Sequence, residues 1–176
     1  MRLLAISGSA RKASTNTVLL QEVAKLAPDG IEIEVFAGVG DLPIFSPDRE
    51  GKNTPPEILA LATKIAQADG LIISSPEYIH AIPGGLKNAI DWMVSREEII
   101  DKPVALIHAS HGGEDVLRSL RLVLHTVTQR FDEDNFVRFL LRSKTPDEIR
   151  VFLATQETQN QIFDFLGKFK SAISTE

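Results

Sequence analysis

Residues 1–17 read MRLLAISGSARKASTNT, and their pattern indicates the fold class of the chain. The apolar run Leu3–Ser7 carries no charge, which is typical of a strand buried on both faces of a sheet. A polar loop follows this run and leads into a helical pattern at about 15–27. A buried strand followed by a helix is the repeating unit of parallel α/β sheets. This stretch therefore predicts an α/β fold.

The same alternation continues to the end of the chain. Four more strands are predicted at Ile31–Phe36, Gly70–Ser75, Val104–Ala109 and Phe136–Leu141. Further helices are predicted at about 55–68, 84–95 and 114–130, with one or two more from Asp147 to Ile173. The pattern indicates one domain, residues 1–176, with a parallel sheet that has helices on both faces.

Charge within the strands indicates their order in the sheet. The second strand alternates apolar residues with Glu32 and Glu34, and the fifth contains Arg138, whereas the other three are almost uncharged. Charged strands are expected at the edges, because strands buried on both faces are apolar throughout. Edge positions for strands two and five give the order 2-1-3-4-5. This is the flavodoxin-like doubly wound five-stranded parallel sheet.

The bulk composition narrows the class of function. The 176 residues are 43% hydrophobic and 24% charged, and the net charge of -5 argues against a nucleic-acid-binding protein. The chain has no cysteine, so it has neither a disulfide nor a thiolate metal site. No apolar run is long enough to span a membrane, and the first residues lack a signal-peptide pattern. We expect a cytoplasmic protein that does not bind a membrane.

Three unusual loops follow strands one, three and four, at the edge where such sheets bind ligands. They read GSARKASTNT (8–17), PEYIHAIPGG (76–85) and SHGGED (110–115). The first brings hydroxyl side chains, Asn16 and Arg11 to a helix N-terminus, and this combination suits a phosphate group. The alternative is a helix cap by Ser14 or Thr15 with surface charge beside it.

The second and third loops suggest the rest of a ligand pocket. Pro76 and Pro83 stiffen the second loop, whose backbone donors suit the polar edge of a flat heterocycle. The alternative is a tight strand-to-helix connection in which Glu77 is merely solvated. In the third loop, His111 is interpreted as a polar residue at the rim of a ligand site rather than as a catalytic group.

The remaining histidines do not suggest a metal centre. His108 lies within a predicted strand and is interpreted as a core residue with its hydrogen bonds satisfied. His125 is expected at the surface or an interface, and His80 at the edge of the pocket. Four scattered histidines have no metal-ligand spacing, so no metal site is predicted.

Two helices carry apolar residues outside their core stripes. Trp92 lies off the stripe of the third helix, and Leu122 and Val123 lie off that of the fourth. These residues indicate either a broad buried face or a dimer interface formed by a pair of helices.

Two sequence signatures resemble those of the NADPH-dependent FMN reductase family. The first is GSxRxxSxN at 8–16, and the second is PEYxxxxPGxLKNAIDW at 76–92. The segment DLPIF at 41–45 also resembles the family's loop after strand two. The similarity covers roughly residues 1–125, and the pairing of the two signatures makes it specific.

The resemblance implies that the protein binds FMN and takes electrons from NADPH or NADH. It also implies ping-pong transfer to a small-molecule electron acceptor such as a quinone, and a homodimer or homotetramer. By motif position, the residues that would hold the phosphate are Ser9, Arg11, Ser14, Asn16 and Thr17. Those that would run along the isoalloxazine are Pro76, Glu77, Tyr78 and Ile79, with Ser110 on the other side. No catalytic side chain is implied, because the flavin does the chemistry.

The chain departs from the family pattern in three places. Ile79 stands where the family usually has Asn, and Ala81 stands where it often has Ser. Both changes make the pocket more apolar, with weaker FMN binding or a changed acceptor as the expected effect. The segment after Thr126 also departs, and residues 145–148 (TPDE) read as a helix start. A flavin-binding electron carrier or redox sensor, and a cofactor-free dimeric scaffold, are the alternative functions.

Overall fold

The computed structural model describes residues 1–11, 13–110 and 112–175. Within these ranges the strands are β1 (Arg2–Ser7), β2 (Glu32–Phe36), β3 (Gly70–Ser74), β4 (Val104–His108) and β5 (Phe131–Arg138). The α-helices in the same ranges are α1 (Thr15–Lys25), α2 (Pro56–Gln67), α3 (Gly84–Asp91), α4 (Glu114–Val127), α5 (Pro146–Leu153) and α6 (Gln156–Ser174). None of the helices in the described ranges combines the length and the apolar character needed to cross a membrane.

The predicted sheet is confirmed. The five strands are parallel and lie in the order β2-β1-β3-β4-β5. In the middle of β1, Ala5 lies opposite Val35 of β2 on one side and Ile72 of β3 on the other. The chain therefore reverses its winding between β1 and β3, and the loops after these strands meet at one end of the sheet.

Helices cover both faces of the sheet, as predicted. Alternate residues of β1 point to opposite faces, so that Leu4 and Ile6 join one core cluster whereas Leu3 and Ala5 join another. The first cluster packs α2, α3 and α4 on the sheet, and the second packs α1, α5 and α6. This two-sided burial explains why the three central strands are nearly uncharged.

The prediction for the fifth strand at 136–141 was wrong in position. The observed β5 begins earlier, and its register is interrupted: Phe131 lies opposite Val104, and Phe136 lies opposite Leu106. Five positions along β5 therefore span only two positions along β4. The intervening residues are polar and lack strand periodicity, so only the apolar half of the strand was visible in the sequence.

Of the two alternatives given for Trp92, the structure shows the buried face and not the interface. Trp92 is 2% exposed, and its Nε1–H donates to the carbonyl oxygen of Pro43 at 2.7 Å. Its ring meets the ring of Phe45 edge-on, with centroids 5.1 Å apart. From one turn earlier, Asn88 donates to Pro43 O at 3.0 Å and accepts from Phe45 N–H at 2.8 Å. The DLPIF segment and the second signature therefore pack against each other within one molecule.

Candidate functional site

A cleft of about 460 Å³ lies at the carboxyl ends of the strands. Its walls come from the three loops singled out in the sequence and from the turn after β5. The lining residues are Thr15, Asn16, Ser75, Pro76, Glu77, His108, Ala109, Ser110, Gly112, Gly113, Arg142 and Ser143. The fold thus brings the predicted ligand loops together around one volume.

Close packing fixes the path of the first loop where it leaves β1. Gly8 donates its N–H to Ser74 O at 2.8 Å. A Cβ atom at this glycine would lie 2.7 Å from Leu86 Cδ2 and 2.8 Å from Ser75 Oγ. A side chain does not fit there, and the loop therefore turns closely against β3 and α3.

The start of α1 offers free hydrogen-bond donors. Ser14 occupies the N-cap position and is only 3% exposed, yet its side chain makes no capping hydrogen bond. Among the described residues, no partner is found for the first backbone N–H groups of this helix. Free N–H groups and the helix dipole attract an anion. The geometry favours the phosphate interpretation over the alternative of a simple cap.

The side chains of Asn16 and Thr17 hold α1 to the sheet. Thr17 Oγ1 lies 2.8 Å from Ser7 Oγ, and Ser74 Oγ donates to Asn16 Oδ1 at 2.8 Å. All four side chains are buried. Of the two helix residues only Asn16 lines the cleft, where its side-chain NH₂ group remains able to donate.

The two other predicted phosphate residues lie in different environments. Ser9 is buried, and its Oγ accepts the backbone N–H of Arg11 at 3.2 Å. The guanidinium of Arg11 is exposed and turns back to Ala13, whose carbonyl oxygen accepts from its Nε at 2.9 Å. The structure therefore places the Arg11 side chain outside the cleft lining.

The second loop contains a tight two-residue turn. Tyr78 and Ala81 exchange backbone hydrogen bonds of 3.2 and 3.1 Å. The residues between them, Ile79 and His80, have φ values of 51° and 56°. Positive φ at both central positions is the pattern of a type I′ turn, which favours Asn or Gly, whereas a β-branched residue is strained there. This explains why Asn suits the position at which the chain has Ile79.

Glu77 and His80 connect the second loop to α4. Glu77 Oε2 accepts the backbone N–H of Val116 at 2.9 Å, so this carboxylate caps α4 rather than being merely solvated. His80 Nδ1 lies 2.6 Å from Asp115 Oδ2. The hydrogen bond from His80, and then the charge of Arg118, lower the pKa of the Asp115 carboxyl.

The side chains of Glu77, His80 and Asp115 qualify the prediction that the chain has no metal-ligand arrangement. One ligand atom each from Glu77, His80 and Asp115 lie within 4.8 Å of one another. Sequence spacing missed the group because two members come from the second loop and the third from the first turn of α4. Each carboxylate already accepts a hydrogen bond from the protein, so hydrogen bonding accounts for the observed arrangement.

The third loop is held by a buried neutral histidine. His108 is 2% exposed, and its Nε2 lies 2.7 Å from Gly112 O, as predicted for a satisfied core residue. Burial lowers the pKa of His108, so the neutral ring donates Nε2–H to this carbonyl. Ser110 lines the cleft and accepts the N–H of Gly112 at 3.3 Å. The prediction for His111 lies outside the described residues.

Arg142 and Ser143 complete the cleft and were missed in the sequence. They belong to a turn beyond the fifth strand, in the segment that departs from the family pattern. The one available signal was a cation directly after an apolar run.

Comparison with known proteins identifies the family of the chain. The model of the NADPH-dependent FMN reductase family matches residues 1–132. The chain belongs to this family. A quinone reductase of Escherichia coli (strain K12) is 36% identical over 115 residues, which cover 64% of the chain and 61% of that protein. Subunit CrdA of the NADH:(hydroxy)cinnamate reductase of Vibrio ruber is 41% identical over 114 residues, which cover 64% and 55% respectively.

Solved structures share the flavodoxin-like fold over nearly all of the chain. The NAD(P)H:(acceptor) oxidoreductase FerB of Paracoccus denitrificans has a TM-score of 0.70 and 23% identity, with 98% of this chain and 94% of that chain covered. Flavodoxin 1 of Bacillus cereus has a TM-score of 0.61 and 17% identity, with coverages of 97% and 98%. FMN and NAD(P)H are the cofactor and electron donor of the family. The residues of the cleft, with free donors at α1, fit a phosphate-bearing cofactor.

Proposed function

We propose that this protein is an FMN-dependent NAD(P)H oxidoreductase that reduces quinones or similar small acceptors by a ping-pong mechanism. The observation that carries this proposal is the convergence of both family signatures on one cleft, next to the uncapped N-terminus of α1. The similarity to a quinone reductase and to an NADPH:quinone oxidoreductase supports quinones as the class of electron acceptor. When bound, FMN would supply the redox chemistry, and the protein would bind and orient it.

The proposed cofactor contacts follow from the loop geometry. The backbone donors of α1, together with Ser9, Ser14 and Asn16, hold the phosphate. Thr17 contributes by fixing α1 to β1, because its hydroxyl is already bonded to Ser7. Arg11 contributes only when its guanidinium leaves the carbonyl of Ala13.

The flavin ring lies along the second loop in this proposal, at residues Pro76, Glu77, Tyr78 and Ile79, with Ser110 opposite. The contact of Glu77 with α4 fixes the loop, and the contact of His108 with Gly112 fixes the opposite wall. Tyr78 and Ile79 are 50% and 95% exposed and lie outside the residues that line the cleft. In this proposal they form its open apolar edge, where the donor and the acceptor reach the ring one after the other.

An absorbance spectrum of the purified protein tests this function. We expect oxidised flavin bands that bleach when NADPH is added without oxygen and return when a quinone is added. Initial rates at several quinone concentrations should give parallel double-reciprocal plots. Bands that do not bleach would point to an electron carrier, and a protein that binds no added FMN would contradict the proposal.

We further propose a single domain, residues 1–176, that acts in the cytoplasm as a homodimer or homotetramer. NAD(P)H is an intracellular reductant, which supports this location. On α4, Val123 packs against the core, whereas Leu122 is 72% exposed. Leu122 is therefore the interface candidate, and Leu122→Glu should reduce the mass measured by light scattering. Leu140→Glu, at a site that is 58% exposed, is the matched control.

A further inference from the structure

Arg142 is the only lysine or arginine among the described residues that line the cleft. Its guanidinium forms no hydrogen bond or ion pair with any residue that the structure describes. The net charge of the chain is -5, so an anionic ligand needs a local cation to offset the overall repulsion. Among the described residues, Arg142 is the cation in position to provide it.

The residues before and after Arg142 fix the backbone of its turn. Leu141 is fully buried, and its carbonyl accepts the N–H of Lys144 at 3.1 Å. Within this turn Ser143 has a φ of 67°, the positive value that a type II turn requires at its third residue. Thr145 then begins α5 with a capping box. Arg142 thus lies at the corner of a hydrogen-bonded turn, and its side chain is exposed at the cleft.

Phosphate-binding groups face the same cleft from the start of α1. Thr15 and Asn16 line it beside the free N–H groups of the first turn. The neighbouring Ser14 is 3% exposed, and its hydroxyl has no partner among the described residues. Arg11, the cation expected here from the family signature, turns back to Ala13 instead. The neutral donors are therefore in place without that cation.

We propose that Arg142 binds a phosphate monoester in this cleft and supplies a cation there, where Arg11 of the first loop turns away. The inference rests on the proposed function, and it concerns a residue beyond the family match of 1–132. A guanidinium offers paired donors that match phosphate oxygens. Two phosphates have this chemistry, the 5′-phosphate of FMN and the 2′-phosphate of NADPH.

Binding of FMN and riboflavin to the flavin-free protein, followed by fluorescence, tests the first source. Loss of a charged hydrogen bond should weaken FMN binding by about 10- to 100-fold in Arg142→Ala and leave riboflavin unchanged. Arg142→Lys should retain part of the preference. Lys144→Ala removes the same charge two residues away, outside the cleft lining, and should leave both affinities unchanged. Arg11→Ala, tested in parallel, should have the smaller effect.

The ratio of kcat/KM for NADPH and NADH tests the second source. An unchanged FMN preference with a ratio that falls about tenfold or more in Arg142→Ala would assign the residue to the donor's phosphate. If neither preference changes, the proposal is overturned. If the wild-type protein binds neither flavin, the proposed function fails. The inference on Arg142 is then decided by inorganic phosphate, which should raise the Tm of the wild type but not of Arg142→Ala.

Discussion

Replacement of Ile79 by Asn should stabilise the protein, although it removes an apolar side chain. Ile79 has a φ of 51°. An L-residue in this left-handed region costs roughly 1–2 kcal/mol, and a β-branched residue is among the least suited to it. Asn adopts the same conformation readily, because its short side chain can bond to the local backbone. The side chain of Ile79 is 95% exposed, so almost no burial is lost by the change.

The expected gain is therefore about 1 kcal/mol in the free energy of unfolding. For a chain of this size this corresponds to a rise in Tm of about 2–4 °C. Urea unfolding of the flavin-free protein, followed by circular dichroism, measures the change without a contribution from bound cofactor.

Ile44→Asn provides the control for this measurement. Ile44 is 82% exposed but lies outside the positive-φ region. Its replacement should leave the free energy of unfolding within about 0.5 kcal/mol of the wild type. An equal gain at both positions would show that the effect comes from surface polarity. A loss of stability in Ile79→Asn would refute the strain argument altogether.

Three further substitutions test the packing around the cleft. Gly85→Ala should lower the free energy of unfolding in urea by about 1–3 kcal/mol, because the added Cβ would lie 2.9 Å from the backbone oxygen of Val39. Gly84→Ala is the control, because its Cβ would meet no atom within 4 Å and should not destabilise the protein. Ser74→Ala should lower the same free energy of unfolding by about 1–3 kcal/mol, because Asn16 Oδ1 would lose the buried hydroxyl that donates to it. An unchanged midpoint of urea unfolding would contradict this role of Ser74. Burial lowers the pKa of His108, so below about pH 6.5 the unfolded chain binds a proton that the folded chain does not. The free energy of unfolding should therefore fall as the pH drops below about 6.5. In His108→Gln this decrease should be absent.

Much of the fold was predictable because it is determined by local patterns. Uncharged runs predicted the central strands, and charged ones predicted the edges, since burial on one or both faces decides which residues a strand tolerates. The start of α5 was equally readable, because Thr145 and Glu148 form a capping box within four residues. The fifth strand was misplaced where its polar segment interrupts the register.

The candidate site was predictable as a set of loops but not as a set of contacts. Strand order brings the loops of the first, third and fourth strands to one edge, and the sequence predicted that order. The direction of each side chain was not predictable. Trp92 turns inward to Pro43, 49 positions away, and Glu77 caps a helix that begins beyond the next strand.

By itself, therefore, the sequence determined the family, the sheet order and the segments that surround the cleft. Each of these is encoded by short-range periodicity or by a contiguous motif. Only the tertiary structure decided that Arg11 turns away from the cleft and that Arg142 lines it. The choice between two cations 131 positions apart in the sequence depends on how the segments after β1 and β5 are placed around the cleft. No local pattern contains that information, because it arises only when the sheet is assembled.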